Sequence, residues 1–254
     1  VLGLIEGLTN RHGDGSISGA RSPIVLVSGW SFDSSMWRDL VEGYVARGGD
    51  RHVIHCLDWV EFGHWIFDGA DCPLAEVYGG ENVLWLGWSL GGGLILEALA
   101  RNKLSPCQSV ILSASPRFLQ DVATGWMGMP ETNWQALRRQ VGRSPEAALA
   151  GFDAWLGLPA GFNRQQEAGA LQQGLDWLAA IDQRDWLEST TMPIHWVFGS
   201  DDPLLPTQPW TDSYGSECQR FTPLQAGGHA LPWGHEDYLM NLLLTFSARG
   251  IVDV

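Results

Sequence analysis

Short apolar runs recur along the chain, separated by polar or glycine-rich stretches. The runs near 23–27, 53–57, 83–86, 109–113, 193–198 and 218–222 are too short to stand as helices and read as buried strands. Between the first four lie segments of helical or irregular pattern, including Ser34 to Ala46 and Gly92 to Ala100, and another helix begins near His235. Such alternation predicts an α/β fold with a doubly wound, mostly parallel sheet. Between Ser115 and Met192 the strand pattern stops. The sequence there becomes helical and rich in tryptophan, with Trp126, Trp134, Trp155, Trp177 and Trp186. The expectation is a helical cap over 117–188, inserted into a core formed by 1–116 and 189–254. Ordinary covering helices are the competing reading, but a cap at this point sits above the strand ends and supplies a pocket.

Composition narrows the class. The 254 residues are 45% hydrophobic and 17% charged, enough for one large core plus an inserted subdomain. No stretch reaches transmembrane length, and the first residues lack the charged start and apolar core of a signal peptide. Cys56, Cys72, Cys107 and Cys218 show neither metal-ligand spacing nor a dense disulfide framework, so a reduced cytoplasmic protein is expected. A formal charge of −14 argues against nucleic acid and anionic membrane as partners. His52 with His55, and His229 with His235, find no third ligand at a useful spacing, so no metal site is expected. Gly91-Gly92-Gly93 lacks the lysine of a phosphate loop. The expectation is a monomer without cofactor.

Candidate chemistry centres on Gly87-Trp88-Ser89-Leu90-Gly91, set between the run Val83 to Leu86 and the helix pattern of 92–100. Strand, sharp turn and helix in this order display a serine on a strained backbone, the nucleophile elbow of an α/β-hydrolase. An incidental serine in a tight turn would give the same five residues, so partners decide. Pro193 to Phe198 runs into Gly199-Ser200-Asp201-Asp202, a loop that can hold a carboxylate. Gly227-Gly228-His229-Ala230 follows on a glycine-rich loop. The chain order serine, aspartate, histidine is the α/β-hydrolase order. A serine hydroxyl attacks an ester at neutral pH only if a base takes its proton, and imidazole titrates in that range. Either Asp201 or Asp202 can orient His229, leaving the other as a turn former. Ser28-Gly29-Trp30-Ser31, after the first strand, is positioned to aim a backbone N–H at an oxyanion. The donors assigned are the amides of Trp30 and Leu90, and losing one such donor typically costs about 3 kcal/mol.

The block Trp85-Leu86-Gly87-Trp88-Ser89-Leu90-Gly91-Gly92 resembles the nucleophile segment of the BioH-type pimeloyl-[acyl-carrier protein] methyl ester esterases. Ser28-Gly29-Trp30 with Met36-Trp37-Arg38 is similar to that family's oxyanion loop and first helix. Ser113 to Phe118 and Gly174 to Leu178 are similar to the two edges of its cap. The resemblance implies hydrolysis of a methyl ester at the far end of a carrier-bound pimeloyl chain. It implies Ser89, Asp202 and His229 as the triad, with Asp202 preferred over Asp201 on this ground alone. Trp30, Trp88, Phe118, Phe152 and Trp155 become candidates to wall an acyl channel, although core packing competes for each. An acidic carrier protein calls for a basic surface. Arg138, Arg139 and Arg143 fall in a predicted cap helix, the last two sharing a face, and Arg117 and Arg164 extend the set. Glu131, Glu146 and Glu167 dilute it, and a solvated helix face is the plainer reading.

The chain departs from the family pattern around the pocket. Ser28 stands where the family has histidine, Asp58 to Gly63 replaces Asp-x-Pro-Gly-x-Gly, and the helix before the nucleophile strand is cut short near Gly79-Gly80. A general carboxylesterase or thioesterase acting on small free esters is the alternative on the same fold. A hydrolase-like binding protein without turnover is the alternative from another class.

Overall fold

The computed structural model describes residues 22–74, 82–104, 108–158, 167–205, 211, 214 and 218–249. Six strands form one sheet: β1 (Ile24–Val27), β2 (Ile54–Leu57), β3 (Leu84–Trp88), β4 (Gln108–Leu112), β5 (Ile194–Gly199) and β6 (Gln219–Leu224). Their order is β2-β1-β3-β4-β5-β6, and every neighbouring pair is parallel. The central strands read as unbroken apolar runs because both of their faces are covered.

Alternate residues divide between two cores, as the two-residue period of a strand requires. Val25, Val27, Trp85, Ile111 and Trp196 face one side, with α2 (Trp59–Phe67), α3 (Leu90–Ala100) and α6 (Ala168–Ala180). Ile24, Leu26, Leu86, Trp88, Val110 and Leu112 face the other, with α1 (Arg38–Ala46) and α8 (Glu236–Arg249). The helix expected over Ser34 to Ala46 divides. Asp33 accepts from the Ser35 amide at 2.9 Å, and a 3-10 turn over Ser34–Trp37 precedes α1. Among the described residues no helix is long and apolar enough to cross a membrane.

Between β4 and β5 the described elements are helical: α4 (Glu131–Arg143), α5 (Pro145–Leu156), α6 and α7 (Arg184–Ser189). We call this segment the cap. Trp177 of α6 packs edge-on to Trp59 and stacks on Phe67, both from α2, while Trp134 of α4 donates its Nε1–H to the Leu175 carbonyl at 2.9 Å. The tryptophan-rich pattern therefore divides by role. Trp177 and Trp126 are buried, whereas Trp155 stays 51% exposed. Short backbone pairings at the cap's root, Arg117 with Asp182, Leu119 with Met129 and Asp121 with Trp126, interrupt the expected helical pattern.

Candidate active site

The strand order reverses direction between β1 and β3, so the loops leaving their C-terminal ends diverge and open a crevice, the usual ligand position in an open α/β sheet. Ser89 follows β3 directly, with φ 55° and ψ −121°, a conformation that non-glycine residues adopt only when their surroundings impose it. The surroundings do so here. A Cβ on Gly87 would lie 2.6 Å from the Gly91 carbonyl, and one on Gly91 would lie 2.5 Å from the carbonyl oxygens of Val27 and Ser28. Glycine at both positions lets β3 turn sharply into α3 against the end of β1. The Ser89 amide donates to the Leu112 carbonyl at 2.8 Å, tying the turn to β4.

Two loops bring the partners. After β5, the Ser200 and Asp201 amides donate to the Leu224 and Gly227 carbonyls at 3.0 and 2.9 Å, so the loop carrying the carboxylates lies along the loop carrying His229. The Trp88 indole donates to the His229 carbonyl at 2.8 Å and fixes the histidine loop from below. His229 Nδ1 then lies 2.8 Å from Asp202 Oδ2, and its Nε2 lies 3.0 Å from Ser89 Oγ. His229 and Asp202 are buried, while Ser89 is half-buried. Of the two candidate aspartates, Asp202 faces the imidazole and Asp201 is exposed. The turn-forming role expected of the spare residue also belongs to Asp202, whose Oδ1 accepts from the Leu204 amide at 2.9 Å.

Trp30 and Leu90 bracket Ser89 from β1 and α3. Leu90 opens a helix, where the first amides have no intrahelical acceptor, and neither its N–H nor that of Trp30 has an acceptor among the described residues. Ser28, in place of the family's histidine, is fully buried and accepts from the Trp59 amide at 3.1 Å, which anchors the β1 loop to the start of α2. The chain then turns through Ser31 at φ 70°.

A small apolar cavity opens on the β4 side of Ser89 and His229. Phe118, Leu178 and Ile181 of the cap form one part of its wall, and Leu204 and Leu205 of the acid loop another. Ser113, Ala114 and Ser115 complete it at the end of β4, and among the described residues no lysine, arginine, aspartate or glutamate joins them. Of the five proposed channel residues only Phe118 lines this cavity. Phe152 and Trp155 line a separate groove between α4 and α5. Trp30 lines neither: its indole donates to the Leu171 carbonyl at 2.9 Å and meets Phe152 edge-on. Trp88 is a correction. The strand's alternation sends its side chain to the opposite face from α3, against Phe32 and Trp233, where it packs core instead of lining the cavity. Sequence reasoning missed Leu204 and Leu205, although their position directly after the acid marks them, and it missed Ile181 and Leu178, which carry no local signal.

The arginines also separate. Arg117 pairs with Asp182, and Arg138 makes a two-pronged pair with Asp176 at 2.6 and 2.8 Å, so both are already neutralised. Arg139 and Arg143 are exposed and have no carboxylate partner among the described residues. Arg164 and Gly79-Gly80 lie outside the described residues. Among the described residues no group of three or more histidine, cysteine or acidic side chains is placed to hold a metal ion.

An all-parallel sheet, a strained serine after its third strand and a serine–histidine–aspartate relay define the α/β-hydrolase class. The profile of the alpha/beta hydrolase family matches residues 24–240, and the chain belongs to that family. It is similar to the pimeloyl-[acyl-carrier protein] methyl ester esterase of Aliivibrio salmonicida, 27% identical over 210 residues that span 74% of this chain and 77% of the relative. The enzyme of that name from Pseudoalteromonas atlantica is 25% identical over 252 residues, 89% of this chain and 94% of the relative. Among solved structures, an esterase from Exiguobacterium antarcticum superimposes with a TM-score of 0.71 at 17% identity, covering 89% of this chain and 92% of that one. MenH from S. aureus gives 0.71 at 13% identity, covering 90% and 94%.

Proposed function

We propose that this protein is a serine carboxylester hydrolase that removes the methyl group of pimeloyl-[acyl-carrier protein] methyl ester. The observation that supports it best is the relay Ser89 Oγ, His229 Nε2 and Nδ1, Asp202 Oδ2, at 3.0 and 2.8 Å, opening onto an apolar cavity. In this reading Ser89 Oγ bonds to the ester carbon as its proton passes to His229 Nε2. The amides of Trp30 and Leu90 hold the oxyanion. Collapse expels methanol, which takes the proton from His229, and leaves an acyl-enzyme on Ser89. Water, giving its proton to His229, attacks that acyl carbon and frees the acid, and the proton returns to Ser89. Asp202 stabilises the imidazolium without becoming protonated.

A methyl ester is neutral, which suits a wall whose described residues include no lysine, arginine, aspartate or glutamate. The carrier would dock on the cap through Arg139 and Arg143, the proposed contacts that keep free guanidiniums among the described residues. A second reading, a general carboxylesterase on small free esters, is favoured by the neutralisation of Arg117 and Arg138 and by the net charge of −14. The test is kcat/KM on the carrier-bound methyl ester beside free dimethyl pimelate, at low and high salt, with Ser89→Ala as the blank. A strong, salt-sensitive preference for the carrier-bound ester is expected. Equal or better activity on the free ester would favour the second reading, and hydrolysis by cleanly purified, folded Ser89→Ala would sink the mechanism.

A further inference from the structure

Two cavity walls, Phe118 and Ile181, come from opposite ends of the cap, and each adjoins a member of one ion pair in the chain. Arg117 and Asp182 face each other in an antiparallel bridge, and the Gln183 amide donates to the Pro116 carbonyl at 2.8 Å beside it. Asp182 is held from a second side as well, because Arg184 Nε and Nη2 each donate to its carboxylate at 2.8 Å. Arg184 Nη2 also donates to Asp121 at 2.9 Å, and the Trp126 indole, which donates to the Arg117 carbonyl at 3.0 Å, lies beneath its guanidinium. Gln183 reaches the buried Glu97 of α3, so the knot is fastened to the core. Arg184 is only 16% exposed and Asp182 31%, so water screens these contacts less than it screens a surface pair.

We propose that this four-residue ionic clamp, Arg117, Asp121, Asp182 and Arg184, fixes the spacing of Phe118 and Ile181 and thereby sets the length of acyl chain that the cavity accepts. The inference rests on the esterase reading of Ser89. Clamp residues do not touch the reacting atoms in this scheme; they act as positioning residues through the two walls. Loosening them should therefore change which chain fits more than it changes the chemistry.

The test measures kcat/KM for the p-nitrophenyl esters of butanoate, hexanoate, octanoate and decanoate with wild type, Asp182→Asn, Arg184→Lys and Ile181→Ala. Asp182→Asn removes the charge that both guanidiniums face, and Arg184→Lys is the gentler variant that keeps a cation but loses the fork. All three should raise the decanoate-to-butanoate ratio by at least about fivefold, since single methylenes in an apolar site discriminate on that scale. Alkyl fluorophosphonates of two lengths provide a second readout, the rate of Ser89 labelling, which should shift in the same sense. An unchanged ratio in folded Arg184→Lys, or a loss by one common factor across all four esters, would overturn the clamp. If Asp182→Asn fails to fold, Arg184→Lys decides alone. Wild type that neither hydrolyses nor labels would instead overturn the esterase reading beneath it.

Discussion

Replacing Asp202 by asparagine tests the relay more sharply than removing the side chain would. Both carboxylate oxygens accept from N–H groups: Oδ2 faces His229 Nδ1 at 2.8 Å and Oδ1 takes the Leu204 amide at 2.9 Å. An asparagine offers one acceptor and one donor at these two places. The backbone N–H of Leu204 cannot give up its proton, whereas the imidazole can exchange tautomers at little cost. The amide oxygen therefore turns toward Leu204, and its NH2 turns toward Nδ1. That leaves the His229 proton on Nε2, where the Ser89 proton must be accepted. Loss of the correct tautomer in a buried triad costs about 10⁴ in kcat, equivalent to about 5.4 kcal/mol. Because both hydrogen bonds survive in altered form, the fold should hold, with Tm within a few degrees of wild type. Asp201→Asn is the matched control: Asp201 is exposed, and its activity should stay within about twofold. Steady-state hydrolysis of a p-nitrophenyl ester at pH 7 measures both. Activity of Asp202→Asn within tenfold of wild type, or a comparable loss in Asp201→Asn, would refute the assignment of Asp202 and the tautomer argument with it.

Two further predictions concern the scaffold. His195, buried in β5 with Nε2 2.8 Å from Thr222 Oγ1, is pushed down from its usual value to about 4 by burial, with the Arg220 cation adding to the effect. Its folded pKa lies below its unfolded one, so the stability is present above pH 6.5 and is lost as pH falls toward 4; urea unfolding at pH 7 and pH 5 should differ by about 2 kcal/mol from this group, a difference that His195→Gln should shrink. Gly91→Ala places a Cβ 2.5 Å from two backbone carbonyl oxygens that no rotamer can relieve, and should cost at least about 2 kcal/mol together with nearly all activity, read by thermal unfolding and ester hydrolysis. Gly151→Ala, inside α5 where a Cβ meets nothing within 4 Å, should leave activity unchanged and raise stability by up to about 1 kcal/mol.

The sheet was legible because parallel strands covered on both faces leave unbroken apolar runs, and all six expected runs correspond to observed strands. Boundaries moved where side-chain pattern and backbone geometry part. β3 extends to Trp88, because Gly87 of the elbow and Trp88 still pair with Ile111 and Leu112 of β4 before the chain turns. That Ser89, His229 and a carboxylate after β5 could meet was suggested by their places in loops that follow strands, each within three residues of a glycine. The choice between Asp201 and Asp202 was not, since adjacent residues share every local signal and only the loop's direction separates them. Trp88 shows the same limit. Its place beside the nucleophile suggested a channel wall, yet one step along a strand reverses the face, and only the position of α3 tells which face carries the cavity. The knot at the cap's root joins residues as much as 65 positions apart through side chains that would look like surface charges in any local window.

The site's asymmetry bears on how a reaction would end as much as on how it begins. Of the two proposed oxyanion donors, Trp30 lies on the β1 side of Ser89 and Leu90 opens α3, while the cavity lies on the β4 side, so a bound ester would straddle the switch point, with its carbonyl oxygen in the crevice and its chain in the apolar wall. Hydrolysis changes the charge of the group held at Ser89. The neutral ester group sits at Ser89 without loss of a charge's hydration, but the carboxylate that replaces it there gives up hydration worth several kcal/mol, and among the described residues lining the adjoining cavity no lysine or arginine compensates. An arginine lining this cavity would have bound the product more tightly than the substrate and slowed release. Arg139 and Arg143, which have no carboxylate partner among the described residues, lie instead on α4 as exposed side chains, where in the proposed reading they would meet the carrier without retaining the acid.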